Sequence, residues 1–276
     1  MIRKVFYVFS MLFISIAWGS SVFAQSLDSQ DCNIARVLET QHYEIDWLPG
    51  SDYDFIAAGA DIEMRADVNG ETVSLPLGRH PIWLTESQIL YVHSELGIVI
   101  QNQDIITTLV PANEHEKVWA LEVSPDKQKV AFSDRTGALF MFQLAHPEFV
   151  SQVGNLRVFG LFWVTDQDLA YINASGDTIE VYNIVERTTA EIVPHEQGKA
   201  RQTLYYSQGV YYWATGDDLF DSSQFIVSFD PVTGEYREIR IGEDDWGIYD
   251  ISIFQNHLFV GLLRGLDDAG LFLVQC

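Results

Sequence analysis

The chain has 276 residues, with 39 acidic side chains against 16 lysines and arginines, and its formal net charge is −23. A field of that sign repels nucleic acids and anionic membrane surfaces, so we expect no nucleic-acid partner. Hydrophobic residues make up 47% of the chain, which is enough to bury a large core. The length suits one all-β barrel or propeller domain.

Residues 1–24 are predicted to be a cleaved signal peptide. Two cations precede an apolar run of signal-peptide length, and Ala24 ends a stretch of small and apolar residues that suits cleavage. A retained membrane anchor is the alternative, but the run is short for a membrane-spanning helix. We therefore expect a periplasmic or secreted protein without membrane insertion after cleavage, with a short segment at 25–31 and one domain at 32–276.

A repeated unit of short apolar strands and polar turns fills the rest of the chain. Apolar positions that are equivalent in the second strand of each unit recur at intervals of 35 to 48 residues. These positions are Phe55, Leu90, Val130, Leu169, Val210 and Leu258. The runs between them are rich in Val, Ile, Tyr, Phe and Trp and are bounded by turn residues. Six copies of this unit predict an all-β fold, a single six-bladed β-propeller with four-stranded antiparallel blades.

Two turns carry the clearest local chemistry. The stretch 124–127, Ser-Pro-Asp-Lys, is predicted to join the first and second strands of the third unit. Asn69-Gly70 is predicted to join the third and fourth strands of the first unit as a tight hairpin. The longer stretch SPDKQKVAF, residues 124–132, resembles the Ser-Pro-Asp-Gly signature of WD-like and Tol-type exported bacterial propeller repeats. This resemblance covers the repeat and implies the fold, and propellers host both enzymes and binding platforms.

The two ends of the chain are predicted to meet. The last unit lacks a fourth strand, and the strand-like stretch 32–39 precedes the first unit without a partner of its own. The N-terminal strand would therefore complete the final blade, and Cys32 would lie beside Cys276. These two cysteines are predicted to form a disulfide in an oxidising compartment. Two free or intermolecular thiols are the alternative.

Enzyme and metal signatures are not found in the sequence. It has no nucleophile elbow, no phosphate-binding glycine loop and no cysteine pair at zinc spacing. Its seven histidines occur singly, and His80-Pro81 and His146-Pro147 are expected to be loop elements. We therefore expect no bound metal, no cofactor and no catalytic residue.

One arrangement of cations and aromatic residues suggests a ligand site. A cation lies just before the predicted first strand in four consecutive units. Tryptophans lie at or just after the start of the first strand in several units. The cations are Arg79, Lys117, Arg157 and Arg201, and the tryptophans are Trp83, Trp119 and Trp246. In a propeller, the first strand of each blade lines a central channel. If these side chains converge at the mouth of that channel, they would suit an anionic or carbohydrate-like ligand. The alternative is solvated loop cations with tryptophans that pack between blades.

These observations favour an exported, non-catalytic binding or protein-interaction module whose ligand is unknown. The alternative is a propeller-type hydrolase or lyase with a site at the central channel. A catalytic propeller should bring several carboxylates or histidines together in that channel, so the side chains there distinguish the two classes.

Overall fold

The chain folds entirely into β-strands and turns over the residues that the computed structural model describes. The described residues are 30–38, 42–51, 54–59, 63–113, 117–176, 178–193, 200–216, 225–241, 247–264 and 268–275. No helix in these ranges is long and apolar enough to cross a membrane. The predicted signal peptide at 1–24, Trp246 and Cys276 lie outside the described residues.

The strands of the first part of the chain are short except for β6, which has 15 residues. They are β1 (Gln30–Asp31), β2 (Asn33–Leu38), β3 (Glu44–Trp47), β4 (Phe55–Ala58), β5 (Glu63–Val68), β6 (Glu71–Thr85), β7 (Gln88–His93), β8 (Gly97–Asn102), β9 (Ile105–Pro111), β10 (Val118–Val123), β11 (Lys129–Asp134) and β12 (Ala138–Gln143).

The second part begins with another long strand, β13, which has 18 residues. Its strands are β13 (His146–Trp163), β14 (Asp168–Asn173), β15 (Ile179–Asn183), β16 (Thr188–Val193), β17 (Ala200–Ser207), β18 (Val210–Gly216), β19 (Phe225–Asp230), β20 (Glu235–Arg240), β21 (Gly247–Phe254), β22 (His257–Arg264) and β23 (Asp268–Gln275).

Hydrogen bonding groups these strands into four sheets in which consecutive strands pair antiparallel. Strands β3 to β9 form one seven-stranded sheet and β10 to β16 form another. Strands β17 to β20 form a sheet to which β1 adds a parallel edge, and β21 to β23 form a sheet with β2.

The two long strands each belong to two ladders. Strand β6 pairs with β5 as far as Leu77 and with β7 from Gly78 onward. Strand β13 changes in the same way from β12 to β14 between Arg157 and Val158. The fourth strand of one predicted unit therefore runs without a break into the first strand of the next.

The expectation that His80-Pro81 and His146-Pro147 are loop elements is wrong. The first pair lies inside β6 and the second begins β13. Pro81 is tolerated within β6 because it sits where the register with β7 shifts, so its missing N–H interrupts no regular ladder bond.

The predicted turns are confirmed. Asn69 and Gly70 have φ values of 53° and 78° and join β5 to β6, as a hairpin turn of two left-handed residues requires. Between β10 and β11, the Lys127 N–H donates to the Ser124 carbonyl at 2.7 Å. The Ser124 hydroxyl accepts from the Lys129 N–H at 2.9 Å, which satisfies the local amides in the way that Ser-Pro-Asp turns do.

The N-terminal strand completes the last sheet, as predicted. Strand β2 pairs antiparallel with β23, and Asn33 lies opposite Gln275. Cys32 directly precedes Asn33 in the sequence, and Cys276, which directly follows Gln275, lies outside the described residues.

The hydrophobic core lies between neighbouring ladders rather than within one of them. One cluster combines Leu90 and Ile98 with Val130 and Phe132, and all four are fully buried. Burying such a side chain contributes about 1.5 to 3 kcal/mol relative to leaving it in water. Face-to-face packing of successive ladders is therefore the main apolar contribution to stability.

A lysine also links neighbouring units. Lys127, in the turn after β10, reaches β6 and donates from Nζ to the carbonyls of Trp83 at 2.8 Å and Leu84 at 2.7 Å. A cationic donor that satisfies two backbone acceptors at once is a strong hydrogen-bonding arrangement.

Replacing Lys127 with methionine is expected to lower the free energy of unfolding by about 1.5 to 3 kcal/mol, because both carbonyls lose a charged donor. Urea denaturation followed by tryptophan fluorescence measures the change. Lys117→Met is the matched control, since this side chain is exposed, and it should change stability by less than about 0.5 kcal/mol. Equal effects of the two substitutions would contradict the proposed link.

Candidate functional site

A cavity of about 590 Å³ is lined by one strand from each predicted unit. We call these the inner strands. They are β3, β6 from Gly78 onward, β10, β13 from Val158 onward, β17 and β21. Known ligand pockets commonly have volumes of 300 to 1,000 Å³, so the space suits a small molecule or a side chain of a partner.

Strand alternation places polar residues of three inner strands at the cavity. Residues two apart point to the same side of a strand, and the residue between them points to the other. Such pairs on three inner strands are Glu44 and Asp46, Ala120 and Glu122, and Asp250 and Ser252, and all six residues line the cavity. The residues between them, Ile45, Leu121 and Ile251, are buried in hydrophobic clusters and also border the cavity. This brings four carboxyl groups to one cavity.

Bulges in five inner strands turn additional side chains toward the same space. The ladder registers shift in β6, β10, β13, β17 and β21 at comparable places. Cavity-lining residues at these shifts are His80, Pro81, Trp119, Phe159, Gly160, Thr203 and Tyr249. Bulges commonly redirect a side chain next to a functional site. Trp119 and Tyr249 remain 47% and 44% exposed, so two large aromatic side chains stand open at the cavity.

Three of the four carboxyl groups hold neighbouring inner strands together. Asp250 accepts from the Ile45 N–H at 2.8 Å, and Asp46 accepts from the Trp83 N–H at 2.7 Å. Glu44 accepts from the His80 N–H at 2.7 Å. Each of these bonds joins a side chain on one inner strand to the backbone of the next, so these carboxyl groups have a structural role.

Glu44 also forms an ion pair with Arg79. The guanidinium donates to Glu44 Oε1 from Nε at 3.1 Å and from Nη2 at 2.7 Å. Burial raises the pKa of Glu44, but the nearby His80 and Arg79 outweigh this effect, and the pKa lies below its usual value. Glu44 is therefore ionised and neutralised by its partner.

The fourth carboxyl group, that of Glu122, has no such partner. It is partly buried and lines the cavity, and its carboxylate makes no hydrogen bond or ion pair with any described residue. Burial raises its pKa well above the usual value, and the charges of Asp46 and Asp250 add to the effect. Glu122 therefore faces the cavity at an electrostatic cost that no described protein group offsets.

Burial also perturbs the other acids of the cavity. It raises the pKa of Asp250 to about 7, against the opposing hydrogen bond from Ile45. It raises the pKa of Asp46 to about 6, although the Trp83 N–H and the charge of Lys127 favour the ionised form. Burial likewise raises the pKa of Tyr205 to about 12, with the three neighbouring acids adding to it. The charges of Asp46, Glu122 and Asp250 therefore all act on the Tyr205 hydroxyl.

The cations predicted to bind an anion are placed differently from one another. Arg79 lines the cavity, with its guanidinium on Glu44. Lys117 precedes β10 and Arg157 lies in β13, and both are exposed and outside the cavity lining in the described part of the chain. Arg201 lies in β17, opposite Thr215. Their convergence on one ligand stays a prediction.

The three predicted tryptophans also differ. Trp119 lines the cavity and is half exposed. Trp83 is buried and packs among Ile56, Met64 and Ile89, away from the cavity lining of the described residues. Trp246 lies outside the described residues.

The cation and tryptophan pattern in the sequence points to the entrances of the first strands and does not reveal the four carboxyl groups within those strands. A signal was present. The stretches EIDW and DIS alternate polar and apolar residues at the start of the first and sixth units, and Glu122 follows two apolar residues at the start of the third unit. Alternation over three or four residues is too short to reveal which face of a strand lines a cavity.

The four acids do not make a metal centre as they stand. No group of three or more histidine, cysteine, aspartate or glutamate side chains among the described residues could hold a metal ion. The arrangement instead offers a negative, partly apolar space with aromatic side chains at its edge.

Comparisons with known proteins give the fold alone. No family model matches the chain, and no curated protein matches it. A luciferin-regenerating enzyme is similar in structure, with a TM-score of 0.67, 12% identity, and coverage of 89% of this chain and 95% of that one. YCF48 from Cyanidioschyzon merolae has a TM-score of 0.64, 9% identity, and coverage of 89% and 99%.

A further similar structure is YCF48 bound to D1 peptide, with a TM-score of 0.62, 11% identity, and coverage of 90% of this chain and 96% of that one. YCF48 and the luciferin-regenerating enzyme are β-propeller proteins. The chain is therefore an all-β protein with a propeller-like fold. No family model and no curated protein supports the narrower resemblance to WD-like or Tol-type repeats.

The burial of Glu122 predicts a specific pH dependence of stability. An acid whose pKa is raised by folding binds more protons in the folded state, so stability falls as pH rises from about 4.5 toward the folded pKa. Glu122→Gln removes this loss without removing a described hydrogen bond. The variant should gain more than about 1 kcal/mol relative to wild type between pH 4.5 and pH 8.

Urea denaturation of both proteins across this pH range measures the difference. Glu95→Gln makes the same charge change at an exposed side chain and serves as the control. A constant offset between Glu122→Gln and wild type at every pH would show that folding does not perturb this group.

Proposed function

We propose that the protein is an exported six-bladed β-propeller that binds a partner protein in the cavity between its inner strands. Contacts between inner strands support the blade count, because they run in cyclic order from β3 through β6, β10, β13, β17 and β21 and back to β3. Each inner strand begins one set of four successive strands, with β2 as the fourth of the last set.

The cavity is the observation that carries the binding function. Its walls combine aromatic side chains such as Trp119, Phe159 and Tyr249 with carboxyl groups, a mixture typical of recognition sites. Three of its four carboxyl groups are occupied in joining strands, which argues for recognition rather than for several free catalytic groups. The structurally similar YCF48 is known bound to D1 peptide, which is a precedent for peptide binding by a similar fold.

A hydrolase or lyase is the second candidate function, because the cavity brings four carboxyl groups together. The raised pKa values of Asp46 and Asp250, about 6 and about 7, lie in the range of general acids and bases. Turnover of a chemically diverse panel of esters, glycosides and uronides that disappears in Asp250→Asn and persists in Glu95→Gln would establish catalysis.

Peptide selection tests the binding function. A random peptide library displayed on phage and selected against the mature protein should enrich sequences that bind the cavity. Ala120→Trp and Thr203→Trp each add bulk from a different wall and should weaken their binding more than about tenfold, which corresponds to 1.4 kcal/mol.

Thr107→Trp, on the exposed side of β9, controls for the added indole and should leave binding unchanged. Circular dichroism of the three variants confirms that they fold. Peptides that bind both filled variants as well as wild type would locate binding elsewhere and overturn the proposed function.

We also propose that the protein is exported and that a disulfide joins the two ends of the chain. The ladder that sets Asn33 opposite Gln275 supports a Cys32–Cys276 disulfide, which would close the ring at the junction of the chain ends. Export and signal cleavage after Ala24 stay predictions from the sequence.

Mass spectrometry of the mature protein, digested without reduction, is expected to show the terminal peptides linked through Cys32 and Cys276. Closing a loop of this length contributes about 4 to 5 kcal/mol in the chain-entropy model, so reduction should lower the midpoint of urea denaturation. Free thiols at both positions in protein from the oxidising compartment would contradict the disulfide.

A further inference from the structure

One acidic group of the cavity is not explained by the fold. Asp250, Asp46 and Glu44 each accept a backbone N–H of a neighbouring inner strand. Glu122 accepts none from the described residues, yet it faces the same cavity. Placing an unpaired carboxylate in a partly buried space is costly unless a positive group arrives to pair with it.

A second, independent feature points to a cation as that group. Trp119 and Tyr249 both stand at bulges, both line the cavity, and both keep almost half of their surface exposed. In a regular ladder, Trp119 and Tyr249 would each lie opposite a residue of the neighbouring strand. At the bulges they have no such partner, and their rings are open at the cavity. Aromatic faces bind ammonium and guanidinium groups, and more strongly where water is partly excluded.

We propose that the cavity receives a lysine or arginine side chain from a basic peptide segment of the partner, with Glu122 as its anchor and Trp119 and Tyr249 against its cationic head and stem. This inference rests on the proposed function and specifies the chemistry of the partner. Charge complementarity supports it, because the chain carries a net charge of −23 and would attract basic segments over a distance.

The charged groups around Glu122 are consistent with one added positive charge. Asp46 and Asp250 add negative charge from β3 and β21, and Tyr205 adds a neutral hydroxyl from β17. Arg79 and His80 on β6 face Glu44, and the Arg79 guanidinium is bound to that carboxylate. The side of the cavity at Glu122 therefore keeps an excess of negative charge.

Defined peptides test the inference directly. The probe is the blocked tripeptide acetyl-Gly-Arg-Gly-amide, and its isosteric control carries citrulline in place of arginine. Titration calorimetry of the mature protein at low salt should show the arginine peptide binding at least about tenfold more tightly than the citrulline peptide, the advantage of a charged over a neutral hydrogen-bonding partner.

Variants assign the interaction to its residues. Glu122→Gln should weaken binding of the arginine peptide about tenfold or more and abolish the preference over citrulline. Trp119→Ala should weaken it severalfold, whereas Trp119→Phe should retain most of the affinity because an aromatic face remains. Glu95→Gln removes the same charge from the exposed surface and should change affinity by less than about twofold.

The outcomes separate this inference from the proposed function. Equal affinity for arginine and citrulline peptides, or an unchanged affinity in Glu122→Gln, would overturn the inference. Binding of methylguanidinium alone as tight as that of the tripeptide would overturn the peptide partner and leave a small-cation site. Library peptides that bind in the cavity without enrichment of lysine or arginine would preserve the proposed function and refute the cationic anchor.

Discussion

The inner strands β21, β3 and β6 lie side by side without regular strand pairing between them, and three cavity carboxylates join them. Backbone N–H groups of Ile45, Trp83 and His80 donate to Asp250, Asp46 and Glu44 respectively. A buried backbone donor without an acceptor costs about as much as a lost hydrogen bond, so these positions require an acceptor. Lys127 performs the complementary task by donating to two carbonyls of β6.

This solution concentrates negative charge in the space that the inner strands enclose. Burial then raises the pKa values of Asp46, Asp250 and Glu122, because each carboxyl group loses hydration, and nearby acids add to the effect at Asp250 and Glu122. The Arg79 guanidinium offsets the charge of Glu44. Glu122 lacks both a backbone donor and a cationic partner among the described residues, which separates the acid available for recognition from the acids that join strands.

Much of the fold could be predicted from the sequence because turns and strand repeats are local. Asn69-Gly70 and the 124–127 turn formed where their chemistry indicated, and the unpaired N-terminal strand found its place beside β23. The continuous strands β6 and β13 were not predicted. Proline normally indicates a loop, and a bulge that accommodates Pro81 depends on pairing with a distant segment.

The candidate site was predicted only in part for a similar reason. Arg79 and Trp119 do lie at the cavity, but the sequence pattern that selected them also selected Arg157 and Trp83, which are not part of its described lining. Alternation within a single short strand cannot show whether its polar side faces a cavity or bulk water. That distinction arises only when the inner strands are brought together, and the ion pair of Arg79 with Glu44 likewise joins residues 35 positions apart.

The protonation of Glu122 in the folded protein tests the enclosed cavity and its cationic ligand most directly. Carbon-13 NMR of the side-chain carboxyl groups, titrated from pH 3 to pH 9 and assigned by loss of a signal in Glu122→Gln, measures it in the folded protein. We expect the pKa of Glu122 to lie well above the usual glutamate value near 4.5, and we expect the arginine tripeptide to lower it again. Titration of Glu122 at its usual value would show a solvated surface carboxylate and would contradict both the enclosed cavity and its cationic ligand.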